Sequence, residues 1–131
     1  MVATRRYAAV QNDTASPERL MVNLFQTALR HMRAGAADVE GRRLSSRGMR
    51  TLDKAAQIVG YLHGTLKRDA APKLADQLAE LYTFTAARLC RAIATGNPAD
   101  AREAERAFAP IAEGFAQAVA NLPPAATGAR P

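Results

Sequence analysis

Two histidines, one cysteine and a scatter of carboxylates are the side chains through which this chain could do chemistry, and their spacing argues against each use. His31 and His63 stand alone, with no HxxxH, HxxE or CxxC partner at metal-ligand spacing. Cys90 follows Leu89 in an apolar stretch where a thiol behaves as a small hydrophobe, and no neighbouring base is placed to activate it. Glu103 and Glu105 alternate with Arg102 and Arg106, which reads as a solvated, ion-paired helix face. Neither GxGxxG nor GxxxxGK[ST] occurs, so no phosphate loop is expected. The expectation is a binding protein with no catalytic residue, no metal ligand and no cofactor.

The net charge of +6 raises nucleic acid as a partner. The densest basic cluster, Arg42, Arg43, Arg47 and Arg50, is not interleaved with aromatic residues for base stacking, and the other cations are scattered. No nucleic-acid partner is therefore expected. A basic helical regulator that binds nucleic acid or another protein stays open as the alternative, on charge alone.

Any binding surface has to be built by elements that 131 residues can supply, which is one domain around one core. Hydrophobic residues make up 48% but aromatics only 5%, an alanine-rich balance that favours close-packed helices over a sheet. A single cysteine forms no internal disulfide, which makes the cytoplasm the default compartment. No apolar run is long enough to insert in a membrane, and Met1 to Val10 lacks the apolar stretch of a secretory signal.

The punctuation predicts an all-α chain of four helices. Ser16-Pro17-Glu18 orders a cap, a proline and an acid, so helix one starts at Pro17 and runs to about Asp38, with Leu20, Met21, Leu24, Phe25, Ala28 and Met32 along one wide stripe. The polar stretch from Glu40 to Ser46, holding Gly41, reads as a connection, with Ser45 or Ser46 as the next cap. Helix two runs to about Arg68 on Leu52, Ala55, Val59, Leu62 and Leu66, although Gly60 and Gly64 weaken it by about 1 kcal/mol each. Helix three begins near Pro72, buries Leu74, Leu78, Leu81, Leu89 and Ile93, and ends at Gly96. Asn97-Pro98 starts helix four, whose seam is Ala101, Ala104, Phe108, Ile111, Phe115, Ala118 and Leu122, with a kink expected near Arg106 from Pro110. Short connections pack four such helices as an antiparallel up-down-up-down bundle over 17–122, with a cap segment at 1–16 and a disordered tail at 123–131.

Tyr7, Asn12, Thr14-Ala15-Ser16-Pro17, Leu20, Leu24-Phe25 and Ala28-Leu29 together resemble the opening of FliS, the flagellar export chaperone family. The similarity continues through Lys54-Ala55, Ile58, Leu62 and Leu66, then Leu81-Tyr82, Phe84 and Arg88-Leu89, to Asn97 and Asp100. The resemblance implies a helical bundle with an extended N-terminal cap segment. It also implies a client, the disordered C-terminal region of flagellin, which folds into helical segments around the bundle and is kept from premature polymerisation. Delivery to the gate of the flagellar type III export apparatus follows from the same resemblance. Tyr7 matches the cap tyrosine, while Leu62, Leu66, Leu81, Tyr82, Phe84 and Leu89 match positions that would line a client groove along helices two and three.

A groove that covers an amphipathic helix must keep more apolar surface than the bundle interior consumes, and without its client that surface can pair with a second copy as a homodimer. Leu62, Leu66, Leu81 and Leu89 also have core spacing, so each has a second reading as interior. Tyr7 lies outside any helical period and has no such reading. Tyr82 and Phe84 fall on different sides of helix three, so at least one of them should face outward.

Overall fold

The computed structural model describes residues 16–122, and the cap segment with Tyr7 and the tail at 123–131 lie outside the described residues. Helix α1 (Pro17–Ala37) starts where the Ser16 hydroxyl accepts the Arg19 amide at 3.1 Å and Pro17, which has no amide to leave unpaired, takes the first turn. A short hairpin of β1 (Val39–Glu40) and β2 (Arg43–Leu44) then pairs antiparallel, Val39 opposite Leu44 and Glu40 opposite Arg43. Gly41 supplies the positive φ of 67° that a two-residue hairpin turn needs at its first position. The sequence led us to expect only a polar connection here. Two-residue strands are too short to show an alternating pattern.

Helix α2 (Ser46–Gly64) is capped by the Ser45 hydroxyl, which accepts the Gly48 amide at 2.9 Å. It stops before the expected Arg68. The Thr65 hydroxyl donates back to the Tyr61 carbonyl at 3.1 Å, and Leu66 folds against the core beyond the last turn. Helix α3 (Pro72–Thr95) begins with Pro72 and no side-chain cap, and Gly96 ends it at φ 77°. Helix α4 (Pro98–Ala120) starts where Asn97 Oδ1 accepts the Ala99 amide at 2.9 Å, and it runs without a break through Pro110, which has no N–H to offer the Arg106 carbonyl.

Among the described residues the helices form a closed ring in which α1 packs on α2 and α4, and α3 packs on the same two neighbours. Consecutive packed helices joined by short connections alternate direction, so this is the antiparallel four-helix bundle expected from sequence. The interior is graded along its length. Ala36, Ala92, Ala101 and Ala104 with Leu44 and Leu52 fill the hairpin end with aliphatic side chains, mostly alanine, while Phe25 meets Phe108 at 5.6 Å, Phe115 at 5.3 Å and Tyr82 at 6.5 Å further along.

The seam of α3 differs from the expected one. Ala75, Tyr82, Thr85, Leu89 and Ala92 are buried, and Leu74 is exposed. Leu89 is buried as expected, Leu78 and Ile93 pack partly against the core, and Leu74 in the first turn is the expected seam residue left in solvent. In α4 the seam runs as expected to Phe108, then passes through Ala112, while Ala118 and Leu122 are exposed. None of the described helices is long and apolar enough to cross a membrane.

Candidate functional site

The hairpin end of the bundle is sealed by hydrogen bonds. The Leu44 amide donates to the Gly96 carbonyl at 2.9 Å, tying the first connection to the third. The Ser45 hydroxyl donates to Asp38 Oδ1 at 2.7 Å, and the Arg47 guanidinium reaches Asp38 Oδ2 at 2.6 Å. The Ser45 hydrogen bond first, and Arg47 second, hold the Asp38 carboxyl below the ordinary carboxylate range. Every group in this constellation has a structural partner.

The opposite half is different. A groove of about 390 Å³ runs between α1 and α2, lined by Leu20, Leu24, Ile58 and Tyr61, then by Thr27, Gln57, His31 and Lys54 towards the middle of the bundle. It continues over Asn23, Gln26 and Arg30 on the outer side of α1. His31 is pushed below the ordinary imidazole range, by burial first and then by the Lys54 and Arg30 charges. The groove is therefore apolar at the open end and cationic at mid-bundle.

A second apolar face lies on the opposite side of the ring. Leu74, Leu81, Phe84 and Arg88 recur at steps of seven, three and four, so they share one face of α3. Arg88 on that face reaches Glu103 at 3.2 Å and Asp100 at 3.6 Å, which sets the face beside α4, and its guanidinium sits 5.1 Å from the Phe84 ring centre. The facing side of α4 carries Ala107, Ile111, Gly114 and Ala118, and a side-chain carbon added at Gly114 would meet nothing within 4 Å. The result is an apolar face on which Leu74 and Phe84 stand exposed beside the open position at Gly114.

The positions singled out from sequence divide in three. Leu62, Tyr82 and Leu89 are buried in the interior, where burial also raises the Tyr82 phenol above its ordinary range, so they lie beneath a surface rather than on it. Leu66 and Leu81 are half-buried and Phe84 is exposed. Between helices two and three, where the sequence put the groove, the His63 and Tyr82 rings pack 6.0 Å apart. Leu20, Leu24, Ile58 and Tyr61 were not expected as groove residues. The width of the α1 stripe was the available signal, because Leu20 and Leu24 with Phe25 and Ala28 span more angle than one seam fills.

Cys90 is exposed, and among the described residues no three His, Cys, Asp or Glu side chains stand close enough to hold a metal ion. What the molecule offers is apolar surface on two opposite sides of a sealed core. No curated protein matches the sequence. The family described as "Flagellar protein FliS" matches residues 1–122, a span that takes in all four helices and both apolar faces. On that match the chain belongs to the FliS family of flagellar export chaperones.

Proposed function

We propose that this protein is a non-enzymatic cytoplasmic chaperone that holds the C-terminal region of flagellin as helical segments against its two apolar faces, blocks premature polymerisation and hands the client to the export gate of the flagellar type III apparatus. The observation that carries this reading is the large apolar side chains left in solvent along the two faces, Tyr61 at 55% exposure on one and Leu74 at 54% and Phe84 at 42% on the other. They rim faces that the bundle does not use itself, and an amphipathic helix is the shape that fits a furrow between two helices.

A disordered client spends about 2–5 kcal/mol on ordering when it folds onto its partner, so a single short contact would bind weakly. Two faces on opposite sides of the ring let one chain wrap the bundle and gain from both. Leu81 and Phe84 touch the client on the α3–α4 side, and Leu66 borders it at the open end. Leu62, Tyr82 and Leu89 support the surface from below. Tyr7 anchors the cap segment over the apolar surface until the client displaces it, and the client-free protein pairs through the same surface.

Calorimetric titration of the full chain with a C-terminal flagellin fragment from the same cell tests the reading. A one-to-one complex that needs no ATP is expected, weakened about tenfold or more by Phe84→Asp, since a charge placed in an apolar contact must be desolvated without a partner. Absence of heat at micromolar concentration would remove the proposal.

A further inference from the structure

We infer that the α1–α2 groove selects a client helix that carries carboxylates beside its apolar stripe, with Lys54 and Arg30 as the selecting charges. This rests on the reading of the groove as a client site and names what that site discriminates.

The groove is asymmetric along its axis. Leu20 and Leu24 of α1 face Ile58 and Tyr61 of α2 at the open end, and one to two turns further His31 faces Lys54. From Leu20 to His31 is eleven residues, about 16 Å at the helical rise, so an occupant of about three turns spans both halves. The charged groups bordering the groove are Arg30 and His31 from α1 and Lys54 from α2, and no carboxylate is among the residues that line it. Asp53, next to Lys54 in sequence, accepts a hydrogen bond from the Gln57 amide at 2.8 Å and keeps its charge outside the lining, where it is outnumbered by Lys54 and Arg30. Among the described residues neither Lys54 nor Arg30 takes part in an ion pair, a state they share with other surface cations, and the Arg30 guanidinium donates to the Thr27 hydroxyl at 3.2 Å.

Two unpaired cations beside an apolar floor repel a basic occupant and attract an acidic one, and docking a helix there thins the water that screens them. The chain's own first fifteen residues are the poorer match, since Arg5 and Arg6 outnumber Asp13. An acidic client helix has the electrostatic advantage in any competition with that segment. The occupant's carboxylates belong about two to three turns from its first apolar anchor, which fixes the direction in which it lies.

The test uses the full-length protein and two synthetic amphipathic 18-residue peptides that share one leucine stripe and differ only in glutamate or glutamine at the flanking positions. Fluorescence titration at low salt is expected to give about tenfold tighter binding of the glutamate peptide, from two partly screened pairs. In the Lys54→Gln, Arg30→Gln double variant that preference should fall to within twofold, and an unchanged thermal unfolding midpoint reports an intact fold. Equal affinity of the two peptides for the unaltered protein, a preference that survives in the double variant, or no binding of either peptide each overturns the inference. A flagellin fragment that fails to bind removes the chaperone reading separately, because the peptide pair still reads the charge preference of the groove.

Discussion

The two ends of this bundle solve opposite problems with the same helices. At the hairpin end, backbones approach closely: a side-chain carbon at Gly48 would sit 2.5 Å from the Asp38 carbonyl oxygen, and one at Gly35 would sit 2.7 Å from Leu52. Polar atoms there have partners, and Ser45 alone serves the Gly48 amide and the Asp38 side chain. At the other end the core is wide and aromatic, and Tyr61, Leu74 and Leu122 remain in solvent, against Val39 at the hairpin end. A bundle stabilised along its whole length would have no surface to lend. Concentrating the close packing at one end lets the other keep an unfilled surface without unfolding.

The sharpest way to break that comparison is Gly48→Val, which places a branched side chain against backbone that has no room to yield. A loss of about 3 kcal/mol is expected in urea unfolding, at the upper end of overpacking costs. A loss below about 0.5 kcal/mol, the scale of a neutral surface change, would show that the hairpin end is not the rigid half.

Thr85 lies on the central seam of α3, and its hydroxyl is the described buried side-chain polar atom without a hydrogen-bond partner. Thr85→Val keeps the branched shape and removes the unpaired group, so stability should rise by about 1 kcal/mol. A loss of that size would show that the hydroxyl has a partner in solution. Gly60, on the same helix as Gly48, has nothing within 4 Å of an added side-chain carbon. Gly60→Ala should therefore stabilise by about 0.5–1 kcal/mol from helix preference alone. Opposite signs at two glycines of α2 would separate the packed end from the free one within a single element.

Much of this was legible before any coordinates, and what was legible follows from chemistry local to a few residues. Ser16-Pro17, Ser45, Gly96 and Asn97-Pro98 mark helix ends through their own hydroxyl, ring, amide or missing side chain, and each holds the expected place. The α3 seam was less legible, because Leu74 and Tyr82 both fit an apolar stripe and only packing against α2 and α4 decides which one is covered. The α1–α2 groove was hidden for the same reason. Leu24 and Ile58 are on the core side of their helices and also floor the groove, and periodicity cannot show that a neighbouring helix leaves them partly uncovered. The hairpin depends on Gly41 and on the partnership of Leu44 with Gly96, more than fifty residues away, which no local pattern contains.

The smallest expected effect separates the two ends by pH. With His31 held below its ordinary range in the folded state, the folded chain binds fewer protons there than the unfolded chain does, so the stability linked to it is full above the ordinary imidazole value and is lost as pH falls through the lowered one. Asp38 is also lowered, but as a carboxylate its contribution persists through that range and disappears only as pH drops below the ordinary carboxylate range. Unfolding midpoints followed downward from neutral pH should therefore decline first by a small step from the groove and later by a separate step from the hairpin. His31→Gln should erase the first step and leave the second. Lys54→Gln should reduce the first step without abolishing it, because burial, the larger cause, stays while one of the two charges is gone. If His31→Gln leaves the first step unchanged, the groove does not hold its histidine in the electropositive, partly buried setting on which the selection of an acidic helix depends.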